Sequence, residues 1–218
     1  MKASRVACGL LLTGCPVIYL LLGGRCGGGV AFAQEISLFN GKDLAGWEGN
    51  ATVWRVRDGT IVGGHLEGNP QNEFLATTND YRNFALRFEY KIVWRDRYNA
   101  GVQFRSERIP KPANEMKGYQ ADIGNGLTGT LYDESRRGFL ARPRPEQFKV
   151  ERTNDWNRYE IRCEGPRIRL LVNGELMVEY VEKDPKIPRA GKIGLQVHGQ
   201  CKQEVSYRNI SIEELSNE

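Results

Sequence analysis

From residue 36 to residue 215 the chain alternates between apolar and polar side chains at every second position, in short runs. The clearest run is FALRFEYKIVW (84–94). Leu86, Phe88, Tyr90 and Ile92 fall on one side of it and Arg87, Glu89 and Lys91 on the other. A period of two is the mark of a strand with one buried face. A helix would need apolar residues at i, i+3 and i+4, and no window from Gln34 onward sustains that pattern. Gly, Asn, Asp and Pro separate the runs, and these residues supply turns. The spacing predicts about a dozen antiparallel strands, each with one apolar face, packed as two sheets.

Several local features follow. ISLFNGKDLAGW (36–47) carries the anchors Leu38, Phe39, Leu44 and Trp47 around an Asn40-Gly41 turn. VWRVRDGTIVGG (53–64) predicts a hairpin on Asp58-Gly59. EFLATTNDYRNF (73–84) reads as a short strand and then a turn. The segment 156–182 predicts a three-strand meander turning at Gly165-Pro166 and at Asn173-Gly174, the latter of type I′. In EVSYRNISIEEL (204–215) the apolar phase moves from Val205 and Tyr207 to Ile210 and Ile212, which predicts a bulge near Arg208-Asn209. Prolines and charges mark 106–117 and 141–148 as loops. Loops of that length inside a compact domain are often functional.

Residues 1–33 read as an export signal. Met1-Lys2 and Arg5 make a positive start, apolar runs cover 6–12 and 16–22, and Ala31-Phe32-Ala33 offers a cleavage site before Gln34. Neither apolar run reaches the roughly 20 residues needed to span a bilayer. Leu12-Thr13-Gly14-Cys15 also fits a lipoprotein signal with Cys15 as a lipid anchor, but the apolar run after Cys15 favours plain secretion. The expected location is periplasmic or extracellular, and the expected domain is 34–218. Of 31 basic residues, Lys2, Arg5 and Arg25 fall in the leader, and none of the 27 acids does, so the remainder is left at a net charge of +1. That balance gives no support to a nucleic-acid partner. Two cysteines lie beyond the leader, Cys163 and Cys201. A disulfide between them and a pair of buried thiols are equally compatible with the sequence.

The polar sides of the strands differ in character. Arg158, Arg162, Arg167 and Arg169 read as a solvated surface. Four other runs do not: 87–91 with Glu89 and Lys91, 103–105 with Gln103 and Arg105, 120–122 with Gln120 and Asp122, and 194–198 with Gln196 and His198. These side chains are amides, acids and an imidazole, and Gly101, Gly118, Gly124 and Gly194 flank them. Side by side, the four runs would form one concave polar groove suited to gripping a sugar, with 106–117 as its rim. His198 can take or give a proton near neutral pH. His65, in a turn after Gly63-Gly64, reads as merely exposed. Asp122 and Glu89 are candidate bases, and Arg105 has a fork suited to paired oxygens. Each of these charges alone is more often an ion-pair partner than a catalyst.

Tyr132-Asp133-Glu134 could offer oxygens to a hard cation, but its spacing matches no calcium loop. Gly124-Asn125-Gly126 precedes no helix and is not a phosphate loop. No Gly-x-Ser-x-Gly, HExxH, CxxC or paired-glutamate glucanase strand is present, so serine-hydrolase, zincin and classical glucanase chemistry lack support.

Taken in order, LFNGKDLAGW, WRVRDGTIVG, FALRFEYKI, AGVQFRS, GYQADIG with LYDE, RIRLLVNG, IGLQVHG and YRNISIEEL resemble the bacterial 3-keto-disaccharide hydrolase family. The resemblance covers about residues 36–215. It implies an all-β, concanavalin A-like jelly-roll sandwich of two antiparallel sheets. It also implies export and action on glycosides oxidised at C3, through 3-keto-glucoside 1,2-lyase and 3-keto-2-hydroxy-glucal hydratase chemistry. Family members often carry Glu-x-Gln where this chain has Gln120-Ala121-Asp122.

A ketone at C3 acidifies the hydrogen on C2. A base removes it, the enolate is stabilised electrostatically, and the group on C1 departs with help from an acid. Water then adds back, and the net change is hydrolysis. On this reading His198 or Asp122 is the base. Arg105, Lys91 or a bound divalent cation such as calcium stabilises the enolate, and Tyr132 or Glu89 assists the leaving group. Gln103, Gln120 and Gln196 would bind the sugar. Two rival readings are a non-catalytic carbohydrate-binding module and a secreted scaffold with a vestigial groove, since fold does not settle function. A binding module should show an aromatic platform on the groove, and Trp47, Trp54, Trp94 and Trp156 fall mostly at apolar or strand-end positions.

Overall fold

The alternating runs become strands, joined by turns whose residues are the ones the backbone requires. A computed structural model describes residues 34–216. Residues 1–33, expected to be an export signal and containing Cys8, Cys15 and Cys26, lie outside the described residues. The strands are β1 (Glu35–Ser37), β2 (Trp47–Glu48), β3 (Trp54–Arg57), β4 (Thr60–His65) and β5 (Glu73–Thr77). There follow β6 (Phe84–Trp94), β7 (Asn99–Arg108), β8 (Met116–Gly124), β9 (Leu131–Glu134) and β10 (Gly138–Ala141). The last are β11 (Asn157–Glu164), β12 (Arg167–Val172), β13 (Glu175–Val181), β14 (Lys192–Val197) and β15 (Gln203–Glu214).

They form two antiparallel sheets. The first runs β13-β12-β11-β6-β15-β4-β3, with β1 also paired to β15, and the second runs β10-β9-β8-β7-β14-β5-β2. The core lies between them. Leu86, Phe88 and Tyr90 from β6, with Tyr159 and Tyr207, enter it from the first sheet. Val102, Phe104, Tyr119, Ile123 and Leu195 enter it from the second. Phe88 stacks on Tyr159 at 5.3 Å and Phe104 on Tyr119 at 5.5 Å. Each large side chain taken out of water contributes roughly 1.5–3 kcal/mol.

The predicted turns hold. Asp58 and Gly59 both have positive φ, as do Asn173 and Gly174, which is the type I′ requirement. The β15 bulge falls where the phase slips: the register passes from Arg208–Glu89 to Ser211–Arg87, with Asn209 at φ +51°. The segment 141–148, expected as a loop, is partly ordered instead. β10 ends at Ala141, and Pro145–Val150 forms a 3-10 helix whose Gln147 donates to Leu176 O.

Cys163 and Cys201 are free and buried. Cys163 pairs with Phe84 at one end of β6, whereas Cys201 lies two residues before Gln203, which pairs with Trp94 at the other end. At about 3.3 Å per residue those ends are on the order of 30 Å apart, far beyond disulfide reach.

Candidate functional site

Three neighbouring strands, β8, β7 and β14, turn Tyr119, Ala121, Val102, Phe104, Ile193 and Leu195 into the core. Alternation sends Gln120, Asp122, Gln103 and Gln196 to the outer face of the second sheet, and β9 adds Tyr132 and Glu134. Register aligns Gln103, Gln120 and Tyr132 in one row, and Gln196, Gly101 and Asp122 in the next. These positions are not solvent-exposed: Gln103 and Gln196 are 0% accessible, Gln120 3% and Asp122 4%.

The segment 106–117, expected as a loop, is strand at both ends, since β7 runs to Arg108 and β8 begins at Met116, and with residues 109–115 between them it accounts for part of that burial. Arg108 reaches across β14 to the carbonyl of Phe74 on β5 (3.1 Å), and Asn114 donates to Glu73 Oε2 (3.1 Å). Met116 joins Phe74 and Ala76 in a small apolar cluster. The predicted rim thus folds over the sheet. The flanking glycines make room for the protein's own side chains: a Cβ at Gly194 would lie 2.4 Å from Met116 Sδ, and one at Gly101 would lie 2.9 Å from Gln120 Cδ.

A directed chain of hydrogen bonds crosses the face. Ser106 Oγ donates to Gln103 Oε1 (2.8 Å), Gln103 Nε2 to Gln120 Oε1 (3.0 Å), and Gln120 Nε2 to Asp122 Oδ1 (2.7 Å). Bonds aligned in this way polarise one another. Burial nevertheless pushes the Asp122 carboxyl up to about 7; the Gln120 bond opposes the rise and the nearby Glu134 charge adds to it. Glu134 is also pushed up to about 7, first by burial and then by repulsion from Glu115 and Asp133. Glu115 is raised by burial, against the pull of the Met116 N–H, Asn72, His198 and Arg108. Three acids and an imidazole therefore sense one another on this face. The Gln196 side chain faces Glu134 closely enough to lower its pKa, yet its Nε2 and Oε1 are buried without a hydrogen-bond partner of ordinary geometry. A buried amide left in this state calls for an explanation.

His198 follows β14 at the edge of the face, half-buried, with Nδ1 2.7 Å from Gly199 O. A carbonyl oxygen only accepts, so Nδ1 carries a proton in that bond. Tyr132 packs edge-on against Phe139 at 5.0 Å, and burial, followed by Glu134 and Asp122, raises its hydroxyl. Among the described residues no group of three His, Cys, Asp or Glu side chains is placed to hold a metal ion. Asp133 and Glu134 in particular do not act together. Asp133 points the opposite way, is fully buried, and pairs with Arg136 and Arg137.

Three predicted site residues lie elsewhere. Glu89 and Lys91 are on β6, which is between β11 and β15 in the first sheet and not beside β7. Glu89 pairs there with Arg208 (2.7 Å) and Arg158 (3.5 Å), and Lys91 sits 5.4 Å from the Trp156 ring. A surface cavity of about 910 Å³ opens beside them. Three of the arginines in its wall are paired with acids, Arg87 with Glu160 and Glu213, and Arg158 and Arg208 with Glu89; Arg208 also covers the Trp156 ring at 3.8 Å. Arg105 is removed by a bulge between Phe104 and Glu107 that breaks the alternation. Its φ is +48°, and its guanidinium binds Arg82 O, Gly165 O and Asn83 Oδ1 instead of facing the amides. In their place stand Glu134 and Glu115. Glu134 was legible from its parity with Tyr132; Glu115 sits in an irregular loop and carried no signal.

Residues 34–213 match the family model of the 3-keto-alpha-glucoside-1,2-lyase-like domain. The chain belongs to that family. None of the curated proteins matches it. Among solved structures, the lyase-like domain is similar to a candidate glycosyl hydrolase of Parabacteroides distasonis, with 22% identity, 84% of this chain and 94% of that one covered, and a TM-score of 0.63. It is also similar to the carbohydrate-binding module CBM66 of Bacillus subtilis, at 17% identity, 78% and 96% coverage and a TM-score of 0.57. A Bacillus licheniformis β-glucanase gives 10% identity, 86% and 100% coverage and a TM-score of 0.51. At these identities the solved structures bear on the fold alone, and the fold is a jelly-roll sandwich of the concanavalin A type. The family gives the lyase-like domain a carbohydrate-related role.

Proposed function

We propose that the domain cleaves glycosides oxidised at C3 by deprotonating C2, eliminating the group on C1 and adding water to the resulting double bond. One observation carries this reading: two carboxyls on one buried face, Asp122 and Glu134, both have pKa values raised to about 7, beside a buried amide, Gln196, that makes no hydrogen bond of ordinary geometry. Elimination beside a ketone needs one base and one acid of similar strength. Two coupled carboxyls that cannot both ionise readily provide such a pair, sharing about one proton near pH 7. Asp122 is the base in this scheme and takes the C2 proton. Glu134 hands its proton to the departing oxygen and then takes one from the incoming water as the water oxygen bonds to C1, while Asp122 returns its proton to C2. Gln196 Nε2 donates to the C3 oxygen as negative charge gathers there. His198 orders the edge of the site through Glu115.

Export to the periplasm or beyond, as the leader suggests, belongs to the same proposal. The test is incubation of the purified domain with a p-nitrophenyl 3-keto-glucoside, following nitrophenolate. Turnover should fall by about 10²–10⁴ in Asp122→Asn and in Glu134→Gln. Sugar binding without turnover in the unaltered domain would overturn the enzyme reading in favour of a binding module.

A further inference from the structure

The bulge that takes Arg105 off the amide face delivers it to a second cavity, of about 200 Å³, at the ends of β7, β8 and β14. The wall carries five cationic side chains, Arg105, Arg108, Lys117, Arg136 and Lys192, against two acids, Asp80 and Glu107. Both acids point largely into solvent and lie 3.6 Å from the lysines they accompany. Arg136 is matched by Asp133, and Arg108 has Glu48 at 3.9 Å. Arg105 differs from the others. It is 2% exposed, and its hydrogen bonds run to two carbonyls and one amide oxygen, none of them charged. Those bonds use three of its five N–H groups. Arg189 and Arg82 add to the burial that lowers its pKa. A buried guanidinium without a counter-charge is costly, and an anion against it removes that cost.

We infer that this cavity binds a sulfate- or phosphate-class oxyanion, free or as an ester on a sugar, with Arg105 and Lys117 as its principal charge partners. The volume equals roughly six or seven waters at about 30 Å³ each, room for a four-oxygen anion and some solvent. Acids in the wall or behind it match four of the five cations and leave Arg105 unmatched; a guanidinium fork with ammonium groups nearby suits tetrahedral oxygens, which a neutral sugar does not offer. Ser106 lines the cavity while its hydroxyl donates to Gln103, so the cavity abuts the head of the amide chain. The inference does not depend on the proposed reaction.

The test is calorimetric titration of the purified domain with sodium sulfate, sodium phosphate, glucose 6-sulfate and glucose 6-phosphate, with ionic strength held constant by sodium chloride. Saturable binding is expected, with a rise in Tm at saturation. Lys117→Glu, at a partly exposed surface position, should keep the fold and weaken binding at least tenfold. Glu107→Gln should retain or tighten it. Arg105→Gln should also lose binding, but Lys117→Glu decides the matter if that variant fails to fold. Inorganic ions bound as tightly as the esters identify a free-ion site; esters bound tenfold tighter identify a charged-sugar subsite. Absence of saturable binding with all four probes, or equal binding by Lys117→Glu, overturns the inference.

Discussion

Gln120 Nε2 donates to Asp122 Oδ1 at 2.7 Å, two residues along the same strand, while Gln120 Oε1 takes the N–H of Gln103. The amide therefore cannot rotate without breaking both bonds. Its donation favours the ionised carboxylate and opposes burial, the dominant influence on Asp122. Replacing Gln120 with Leu should raise the Asp122 pKa further. The acid limb of the kcat/KM profile should move to higher pH, with at least a tenfold loss at pH 6 that largely recovers by pH 9. A uniform loss across the pH range would mean that Gln120 only supports packing.

Stability should carry the same signature. Asp122 and Glu134 have folded-state pKa values of about 7, above their ordinary values of 3.8 and 4.5. The folded state thus holds these protons more tightly than the unfolded chain. Their contribution is fully present below about pH 4 and is lost as pH rises through 7. Asp122→Asn removes the charge that burial opposes. It should stabilise the protein at pH 8 by on the order of 2 kcal/mol and change little at pH 4. Urea unfolding at both values measures the difference, and equal effects at the two would refute the assignment.

The two-sheet sandwich was readable because period-two alternation and turn chemistry are local. The Asp58-Gly59 and Asn173-Gly174 turns and the β15 bulge each follow from two or three adjacent residues. Alternation also separates the core face from the outer face, which is how Gln103, Gln120, Asp122 and Gln196 could be grouped. It does not say which sheet a strand joins. Glu89 and Lys91 show the same alternation as Gln120 and Asp122, yet β6 pairs with β11 and β15 through contacts distant in sequence. Arg105 was misplaced for a different reason: one bulge with a positive φ turns its side chain away, and FRS carries no glycine to mark it.

The correction can be measured. Glu89→Ala and Lys91→Ala remove side chains from the first sheet's outer face, remote in topology from Asp122. The proposed activity on the 3-keto-glucoside should stay within about twofold of the unaltered protein, since loss of a true acid or base costs about 10²–10⁴. Stability should drop by less than about 1 kcal/mol per variant, as for other surface ion pairs. A hundredfold loss in Glu89→Ala would return the chemistry to the first sheet.

The cysteines give a simpler expectation. Burial pushes the Cys163 thiol up to about 12, and Cys201 is raised by the same cause. Neither should react with a disulfide reagent at pH 8 on the time scale of minutes until the chain is unfolded. A reducing agent should leave Tm unchanged. A drop in Tm on reduction would demonstrate a disulfide that the separation along β6 does not allow.

Gly194 and Met116 link packing to the site. A methyl group at 194 would meet Met116 Sδ at 2.4 Å and Gln103 Cβ at 3.3 Å. Met116 is fully buried, so the thioether cannot swing into solvent. Overpacking of this kind costs about 1–3 kcal/mol. Relief of the strain would push Met116 against the segment 109–115 that precedes it, and Glu115 next to Met116 would move with it. Gly194→Ala should therefore destabilise the fold and lower kcat/KM together. Met116→Ala opens a cavity and should cost about 2–4 kcal/mol alone. In the double variant the new methyl occupies part of the space that Met116 vacates. Its loss of stability should be smaller than the sum of the single losses by about 1 kcal/mol or more, the coupling expected of side chains in contact. Additive losses in urea unfolding would mean that Met116 does not seat on Gly194, and that something other than this segment buries Gln196.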